Sequence, residues 1–167
     1  MEKQDTPRQI VLCKSGYKNW RTQEKFKTVE ELQDYSMKTQ NLEEIAYHFI
    51  IEESGVLHQG RELDEKSQAV RGHDNRIISI CLMGDFCKAP PTIEQLDTLK
   101  MLVLAMCKKF KIKTDMHHLF CVSDYRDPPV DRYNPGTYLS REVRHISKWV
   151  MDKLKEESKN VTKEVTQ

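Results

Sequence analysis

Short apolar runs separated by polar turns indicate a series of buried strands. Residues 77–83 are almost continuously hydrophobic, which is typical of a central strand buried on both faces. Residues 46–51 are also apolar, and the Ser54 and Gly55 turn that follows predicts a hairpin with residues 56–59. Two further strands are predicted over residues 9–13 and residues 118–122.

Capping signals and a helical period predict three helices. Thr28 and Glu31 form a capping-box pattern before a short helix that ends near residue 37. Thr92 and Gln95 repeat the pattern before a longer helix. Its apolar stripe recurs every three to four positions at Ile93, Leu96, Leu99, Val103, Met106 and Phe110. A third amphipathic helix is predicted over residues 139–155.

The alternation of strands and helices predicts a single α/β domain with a central mixed β-sheet flanked by helices. We expect this domain over residues 9–155, with an N-terminal tail at residues 1–8 and a flexible C-terminal tail at residues 156–167. Polar stretches with turn residues predict loops over residues 15–27 and 124–136.

Composition narrows the class of protein. The 167 residues carry 27 Lys and Arg against 26 Asp and Glu, a formal charge of +1. This balance argues against a protein built to bind nucleic acid or anionic membrane, because both tasks call for surplus positive charge. No apolar run has the length of a transmembrane helix, and the start lacks the apolar core of a secretory signal. We therefore expect a cytoplasmic protein.

The cysteines give no local metal motif. They are five in number, an odd count, and most lie in apolar runs, so we expect reduced and unpaired thiols. No CxxC pair is present.

Four blocks of sequence, taken in order, resemble one family. Residues 47–51 with the Gly55 turn and Gly60–Arg61 form the first block, and Asn75 with residues 78–86 forms the second. Residues 91–96 form the third, and residues 134–136 followed by Leu139 form the fourth. The set resembles the zinc-dependent N-acetylmuramoyl-L-alanine amidases, whose relatives include phage lysozyme-like amidases and peptidoglycan recognition proteins.

The resemblance implies a zinc site that this chain has changed. Family enzymes bind zinc through two histidines and a Cys or Asp, with a fourth position open to water. The matching positions here are Cys13, Val122 and Asn134, with His117 and His118 upstream of the second. Tyr47 matches a position at which active members carry a catalytic tyrosine.

Other residues are candidates for a binding groove. We assign to it Tyr47, Arg61, His73, Asn75 and Asn134. Arg61 is a candidate clamp for a substrate carboxylate, because a guanidinium fork suits that group, and the alternative is a pair with a nearby acid. His48 is interpreted as a structural or outward-facing histidine, and His73 as a groove residue or a solvated turn residue.

Two hypotheses about function remain open. In the first, the chain is a non-catalytic binder of a peptidoglycan fragment or a protein partner, with no metal cofactor and no nucleic-acid or membrane partner. In the second, it is an active zinc amidase with a rearranged ligand set. That set comprises Cys13, His118 and one carboxylate from Asp124, Asp127 or Asp131.

Overall fold

The computed structural model describes residues 2–70, 72–115, 118–125 and 133–165, and side chains as far as residue 161. Five strands form one mixed sheet in the order β5-β4-β6-β1-β7. Their bounds are Gln9–Lys14 (β1), Phe49–Ile51 (β4), Leu57–Gln59 (β5), Ile77–Leu82 (β6) and Leu119–Cys121 (β7). Strand β1 is parallel to β6 and β7, β4 is parallel to β6, and β5 is antiparallel to β4. The predicted α/β fold with a central mixed sheet is confirmed.

Strand β6 lies at the centre of the sheet, and all six of its residues are buried. Helices α2 (Ile93–Phe110) and α3 (Thr137–Val165) cover one face, where Leu99 and Ile146 pack among residues such as Ile80. Helix α1 (Val29–Lys38) covers the other face, where Leu32 joins Cys81 in a second buried cluster. Coverage on both faces explains why the sequence of β6 is almost continuously apolar, and its polar residue, Ser79, is buried and hydrogen-bonded to His48.

Both predicted capping residues begin their helices. Thr28 Oγ1 accepts a hydrogen bond from the Glu31 N–H, and Thr92 Oγ1 accepts one from the Gln95 N–H across 3.0 Å. The Gln95 side-chain oxygen in turn accepts a hydrogen bond from the Thr92 N–H, which completes the capping box. Leu99, Val103 and Met106 are buried as the period of α2 predicts, whereas Ile93 is 75% exposed in the first turn.

The chain departs from the predicted boundaries at three places. The predicted loop over residues 15–27 contains a two-stranded hairpin, β2 (Tyr17–Asn19) and β3 (Glu24–Lys25). The predicted N-terminal tail is attached to the domain, since the Gln4 N–H donates to the Asp64 carbonyl and the Gln4 amide donates to the Leu63 carbonyl. Helix α3 continues through residues 156–165, where the sequence predicts a tail.

Among the described residues, no helix combines the length and the apolar composition needed to cross a membrane.

Candidate functional site

The three positions that match zinc ligands in the family lie together at the carboxyl end of strand β1. Asn134 makes the connection with two hydrogen bonds. Its Oδ1 accepts from the Lys14 N–H across 2.9 Å, and its carbonyl oxygen accepts from the Ser123 N–H across 2.7 Å. Cys13 and Val122 each immediately precede one of these donors. The structure therefore brings these three segments together as the resemblance implies.

A glycine explains how the turn around Asn134 approaches the sheet so closely. Gly136 has a φ of +101°, and a Cβ atom placed there would lie 2.4 Å from the Phe86 backbone carbon. The Tyr138 N–H then donates to the Phe86 carbonyl across 3.0 Å, at the start of α3. Only a residue without a side chain fits this contact and this conformation.

Cys13 is chemically unsuited to bind zinc in this setting. Its side chain is fully buried among apolar residues, and it lies directly opposite Cys81 on the neighbouring strand. Burial raises the pKa of the Cys13 thiol well above its ordinary value, so the sulfur is a neutral thiol at neutral pH. Zinc binds the thiolate, which this environment disfavours.

The other two ligand positions, Val122 and Asn134, are also unsuited to bind zinc. Val122 is buried and offers an aliphatic side chain without a donor atom. The Asn134 amide oxygen is already committed to the Lys14 N–H. A neutral thiol, an aliphatic group and an occupied amide do not fit a zinc ion, which calls for imidazole, thiolate or carboxylate ligands.

Tyr47 lies at the edge of the same buried cluster. It is partly buried, and burial first, then the neighbouring Cys81 and Cys13 sulfurs, raise its pKa well above the ordinary value for tyrosine. Its phenol is therefore a neutral hydrogen-bond donor at neutral pH. Tyr47 thus packs against the cluster that contains Cys13, but no group of three metal-binding side chains is found beside it in the described part of the chain.

An aromatic pair, His73 and Tyr125, lies next to the buried cluster that contains Cys13. The rings of His73 and Tyr125 lie 4.6 Å apart between centroids, and Tyr125 also contacts Phe120 at 5.8 Å. Burial raises the pKa of Tyr125 to about 12. His73 was predicted as a groove residue, whereas Tyr125 was missed, because a single aromatic residue after a short strand carries no motif.

Arg61 is a structural residue rather than an exposed clamp. It is 2% exposed, and its Nε donates to the Ile45 carbonyl across 2.7 Å while Nη1 donates to the Lys66 carbonyl. The bond to Ile45 holds the segment after β5 against the connection that precedes β4, and the bond to Lys66 lies within the segment after β5. The prediction of a clamp for a substrate carboxylate is corrected accordingly, because the guanidinium is buried and already donates to backbone carbonyls.

Arg61 nevertheless lies at the wall of a cavity with a volume of about 1130 Å³. Its lining is polar and comes from the connection between α1 and β4 and from the segment after β5, and includes Gln40, Asn41, Glu43, Ser67, Gln68 and Asp74. The Asp74 carboxylate accepts hydrogen bonds from Ser67 Oγ and the Val70 N–H, each across 2.8 Å. Burial raises the pKa of Asp74 despite these bonds.

A smaller cavity of about 360 Å³ lies beside the Asn134 turn. Cys87, Ser123, Ser140 and Arg141 are among its lining residues. Lys14 reaches this region, where its Nζ lies 2.6 Å from an Asp85 carboxylate oxygen and 3.2 Å from the Cys87 sulfur.

Two other predicted site residues lie elsewhere. Asn75 belongs to the contact that holds the N-terminal segment, since its Oδ1 accepts from the Asp5 N–H across 3.1 Å. His118 lies at the amino end of β7, where its carbonyl accepts from the Ile10 N–H and its ring pairs with Asp115. Asn75 is thereby corrected from a groove residue to a structural one.

The rearranged ligand set of Cys13, His118 and Asp124 is also corrected. Leu119 pairs with Ile10, so His118 is level with Gln9, which lies four positions before Cys13 along β1, a distance of about 13 Å. The Asp124 carboxylate accepts from the Cys121 N–H across 2.7 Å and caps a short 3₁₀ helix, Val122–Asp124. Among the described residues, no group of three His, Cys, Asp or Glu side chains is placed to hold a metal ion. His117, Asp127 and Asp131 lie outside the described residues.

Comparison with known proteins supports the family that the motifs indicate. Residues 3–137 match the family profile described as N-acetylmuramoyl-L-alanine amidase. Peptidoglycan-recognition protein 2 of Holotrichia diomphalia is 30% identical over 113 residues, which are 68% of this chain and 58% of that protein. Peptidoglycan-recognition protein SD of Drosophila simulans is 26% identical over 50% of this chain and 45% of its own length. This chain thus matches about half the length of these relatives.

Solved structures show the same fold. The N-acetylmuramoyl-L-alanine amidase LysC from Clostridium intestinale superposes with a TM-score of 0.69 at 21% identity, over 84% of each chain. Drosophila peptidoglycan recognition protein SD gives a TM-score of 0.69 at 18% identity, over 86% of this chain and 83% of that one. A complex of tracheal cytotoxin with the ectodomains of peptidoglycan recognition proteins LCa and LCx gives a TM-score of 0.67 at 18% identity, over 86% of this chain and 85% of that one.

Proposed function

The chain belongs to the N-acetylmuramoyl-L-alanine amidase family, and we propose that it binds a peptidoglycan fragment without hydrolysing it. One observation carries the proposal. The three ligand positions hold a buried neutral thiol, an aliphatic side chain and an amide bound to the Lys14 backbone. Among the described residues, no group of three His, Cys, Asp or Glu side chains is placed to hold a catalytic metal.

Hydrolysis of an amide needs an activated nucleophile, which none of the described groups supplies here. In the family, zinc lowers the pKa of a bound water and polarises the carbonyl. Tyr47 is a neutral phenol that can donate one hydrogen bond. Removing a single donor from an enzyme site typically costs about 3–4 kcal/mol, far below the roughly 8–23 kcal/mol by which enzymes lower barriers. Tyr47 alone therefore does not make this site hydrolytic.

The polar cavity next to Arg61 supports the binding part of the proposal. Its volume of about 1130 Å³ is ample for a disaccharide–peptide fragment. Its lining offers amide, hydroxyl and carboxylate groups, which match the hydroxyl and amide groups of such a ligand. The relatives named above are peptidoglycan-recognition proteins, and one solved relative is a complex with tracheal cytotoxin, which supports the same class of ligand.

Three measurements on one preparation test this function. The zinc content of protein purified without chelator is measured by elemental mass spectrometry. Release of peptide from a muramoyl-peptide is followed by liquid chromatography. Binding of the same muramoyl-peptide is measured by calorimetry. We expect less than stoichiometric zinc, no released peptide and saturable binding.

Matched variants locate the binding. Gln40→Ala combined with Gln68→Ala removes two exposed amides from the cavity lining and should weaken binding. Gln59→Ala removes an exposed amide from β5, which does not line the cavity, and should leave affinity unchanged. Stoichiometric zinc with hydrolysis would instead favour the rearranged amidase, with ligands drawn from outside the described residues.

A further inference from the structure

The hairpin formed by β2 and β3 begins at the candidate site. The Ser15 N–H donates to the Leu82 carbonyl and the Gly16 N–H donates to the Gly84 carbonyl, so the chain leaves the sheet at the carboxyl ends of β1 and β6. Ligands of sheets with parallel strands bind at this edge. From residue 18 to residue 25 every side chain is exposed.

The turn of this hairpin presents an aromatic and a cationic side chain together. Trp20 is 74% exposed, although indole is among the largest apolar groups, and the Arg21 guanidinium carbon lies 5.4 Å from the centre of its ring. Within the described residues, Arg21 makes no ion pair. An exposed tryptophan stacked with arginine offers a flat apolar face and an available cation side by side.

Ion pairs hold the hairpin in place below this turn. Lys18 lies 3.7 Å from a Glu31 carboxylate oxygen of α1, and Lys25 lies 3.1 Å from Glu53 in the turn between β4 and β5. Both strands of the hairpin are therefore tied to the domain, and Trp20 stays exposed at its end. The two lysines are neutralised by these partners, which leaves the charge of Arg21 for an external ligand.

We propose that Trp20 and Arg21 form an additional contact for the ligand of the candidate site. The indole face packs against the apolar face of a sugar ring, and the guanidinium binds a free carboxylate of the attached peptide. This inference rests on the proposed function, because the ligand is the same sugar–peptide fragment. It adds a contact outside the family's metal-site positions and outside the two cavities described above.

The two tryptophans of the chain allow a direct test. Trp149 lies on α3 and packs partly buried against the core, so Trp149→Phe leaves Trp20 as the single fluorescent indole. We expect addition of a muramoyl-peptide to shift or quench the Trp20 emission with the same midpoint that calorimetry gives for Trp149→Phe. Trp20→Ala and Arg21→Gln should each raise the dissociation constant roughly fivefold to tenfold. Arg144→Gln, which removes an exposed arginine from α3, should leave it unchanged.

The possible outcomes distinguish a failure of the hairpin contact from a failure of the proposed binding function. Calorimetric binding that is unchanged in Trp20→Ala and Arg21→Gln, with no change in Trp20 emission, overturns the hairpin contact and leaves the proposed function standing. A wild-type chain that binds no muramoyl-peptide by calorimetry overturns both. Because these substitutions lie at an exposed turn, we expect the thermal midpoint of both variants to match the wild type.

Discussion

The Lys14 backbone N–H donates a hydrogen bond to Asn134 Oδ1 across 2.9 Å and so joins the end of β1 to a turn 120 residues later in the chain. In metal-binding members of the family, this turn position carries a zinc ligand. Here the side chain at that position links two segments of the fold. The contact is therefore a structural element at a position where the resemblance implies chemistry.

Removing this contact should lower stability. Asn134→Ala deletes the acceptor and should reduce the free energy of unfolding by about 1 kcal/mol, the usual value of one such hydrogen bond. Asn134→Asp retains an acceptor oxygen and should lose less. Urea denaturation of the three proteins provides the measurement, and an Asn134→Ala midpoint equal to that of the wild type would contradict the structural role.

Thiol accessibility should distinguish one cysteine from the other four. Cys87 is exposed, while Cys13, Cys81, Cys107 and Cys121 are buried, and all five are free. Brief alkylation of the native protein should add one label, which Cys87→Ser removes, and alkylation in denaturant should add five. Intact mass without reductant gives a second check, since each disulfide would lower it by two hydrogens.

His48 should make stability depend on pH. Its ring is fully buried, with Nδ1 accepting from the Ser79 N–H and Nε2 within 2.8 Å of the Glu65 carbonyl. Burial lowers the pKa of His48 below its ordinary value of 6.5, so the unfolded chain takes up a proton at a higher pH than the folded chain. The stability contribution is therefore present above pH 6.5 and is lost as the pH falls toward the folded-state pKa.

Chemical denaturation between pH 7.5 and 5 measures this effect. His48→Gln should have a lower free energy of unfolding at pH 7.5 and a shallower decline toward pH 5 than the wild type. His145→Gln, which changes an exposed histidine on α3, serves as the matched control and should decline like the wild type. An equal decline in His48→Gln would show that other groups cause it.

The parts of the fold that could be predicted are those that depend on burial and local capping. Strand β6 was predicted because both its faces are covered, and α2 because Thr92 and Gln95 cap a helix with a buried stripe. The β2–β3 hairpin was missed because its two short strands are exposed and lack an apolar pattern. For such strands the sequence carries no periodic signal.

Site residues could be predicted where the order of motifs along the sequence determines their position. They could not be predicted where long-range contacts determine it. Cys13 lies near the end of β1, Tyr47 lies two residues before β4, and Asn134 lies two residues before Gly136. Tyr47 packs against the cluster that contains Cys13, and Asn134 bonds to Lys14, the residue after Cys13. Asn75 and His118 have suitable chemistry, but long-range contacts place them elsewhere: Asn75 bonds to Asp5, and the His118 carbonyl accepts from the Ile10 N–H. No local pattern in the sequence records which segments pair in this way.

Gly136 should be more sensitive to substitution than Gly72, another glycine with positive φ. Gly136→Ala adds a Cβ that would lie 2.4 Å from the Phe86 backbone, whereas Gly72, at φ +86°, has no atom within 4 Å of the same position. Gly72→Ala should cost about 1–2 kcal/mol through its conformation alone. Gly136→Ala should cost at least about 1 kcal/mol more, because backbone must move. Thermal and urea denaturation of both variants compare them, and equal losses would contradict the close contact.

Restoring the family's ligands should create a zinc site. The triple variant Cys13→His, Val122→His and Asn134→Cys places two imidazoles and a thiolate at the three converging positions, which suits zinc with one position left open. Without metal, we expect this protein to be less stable than the wild type, because two imidazoles replace groups in an apolar cluster and the bond to Lys14 is lost.

Zinc should recover that stability, because a ligand that binds only the folded state raises its free energy of unfolding. The expected result is a thermal midpoint that rises with added zinc and falls again with chelator, together with the absorption of a cobalt–thiolate complex when cobalt replaces zinc. The double variant Cys13→His and Asn134→Cys has the same thiol but only two ligands, so it should respond far more weakly. A triple variant that folds and shows no response to either metal would mean that Cys13, Val122 and Asn134 do not converge on one point.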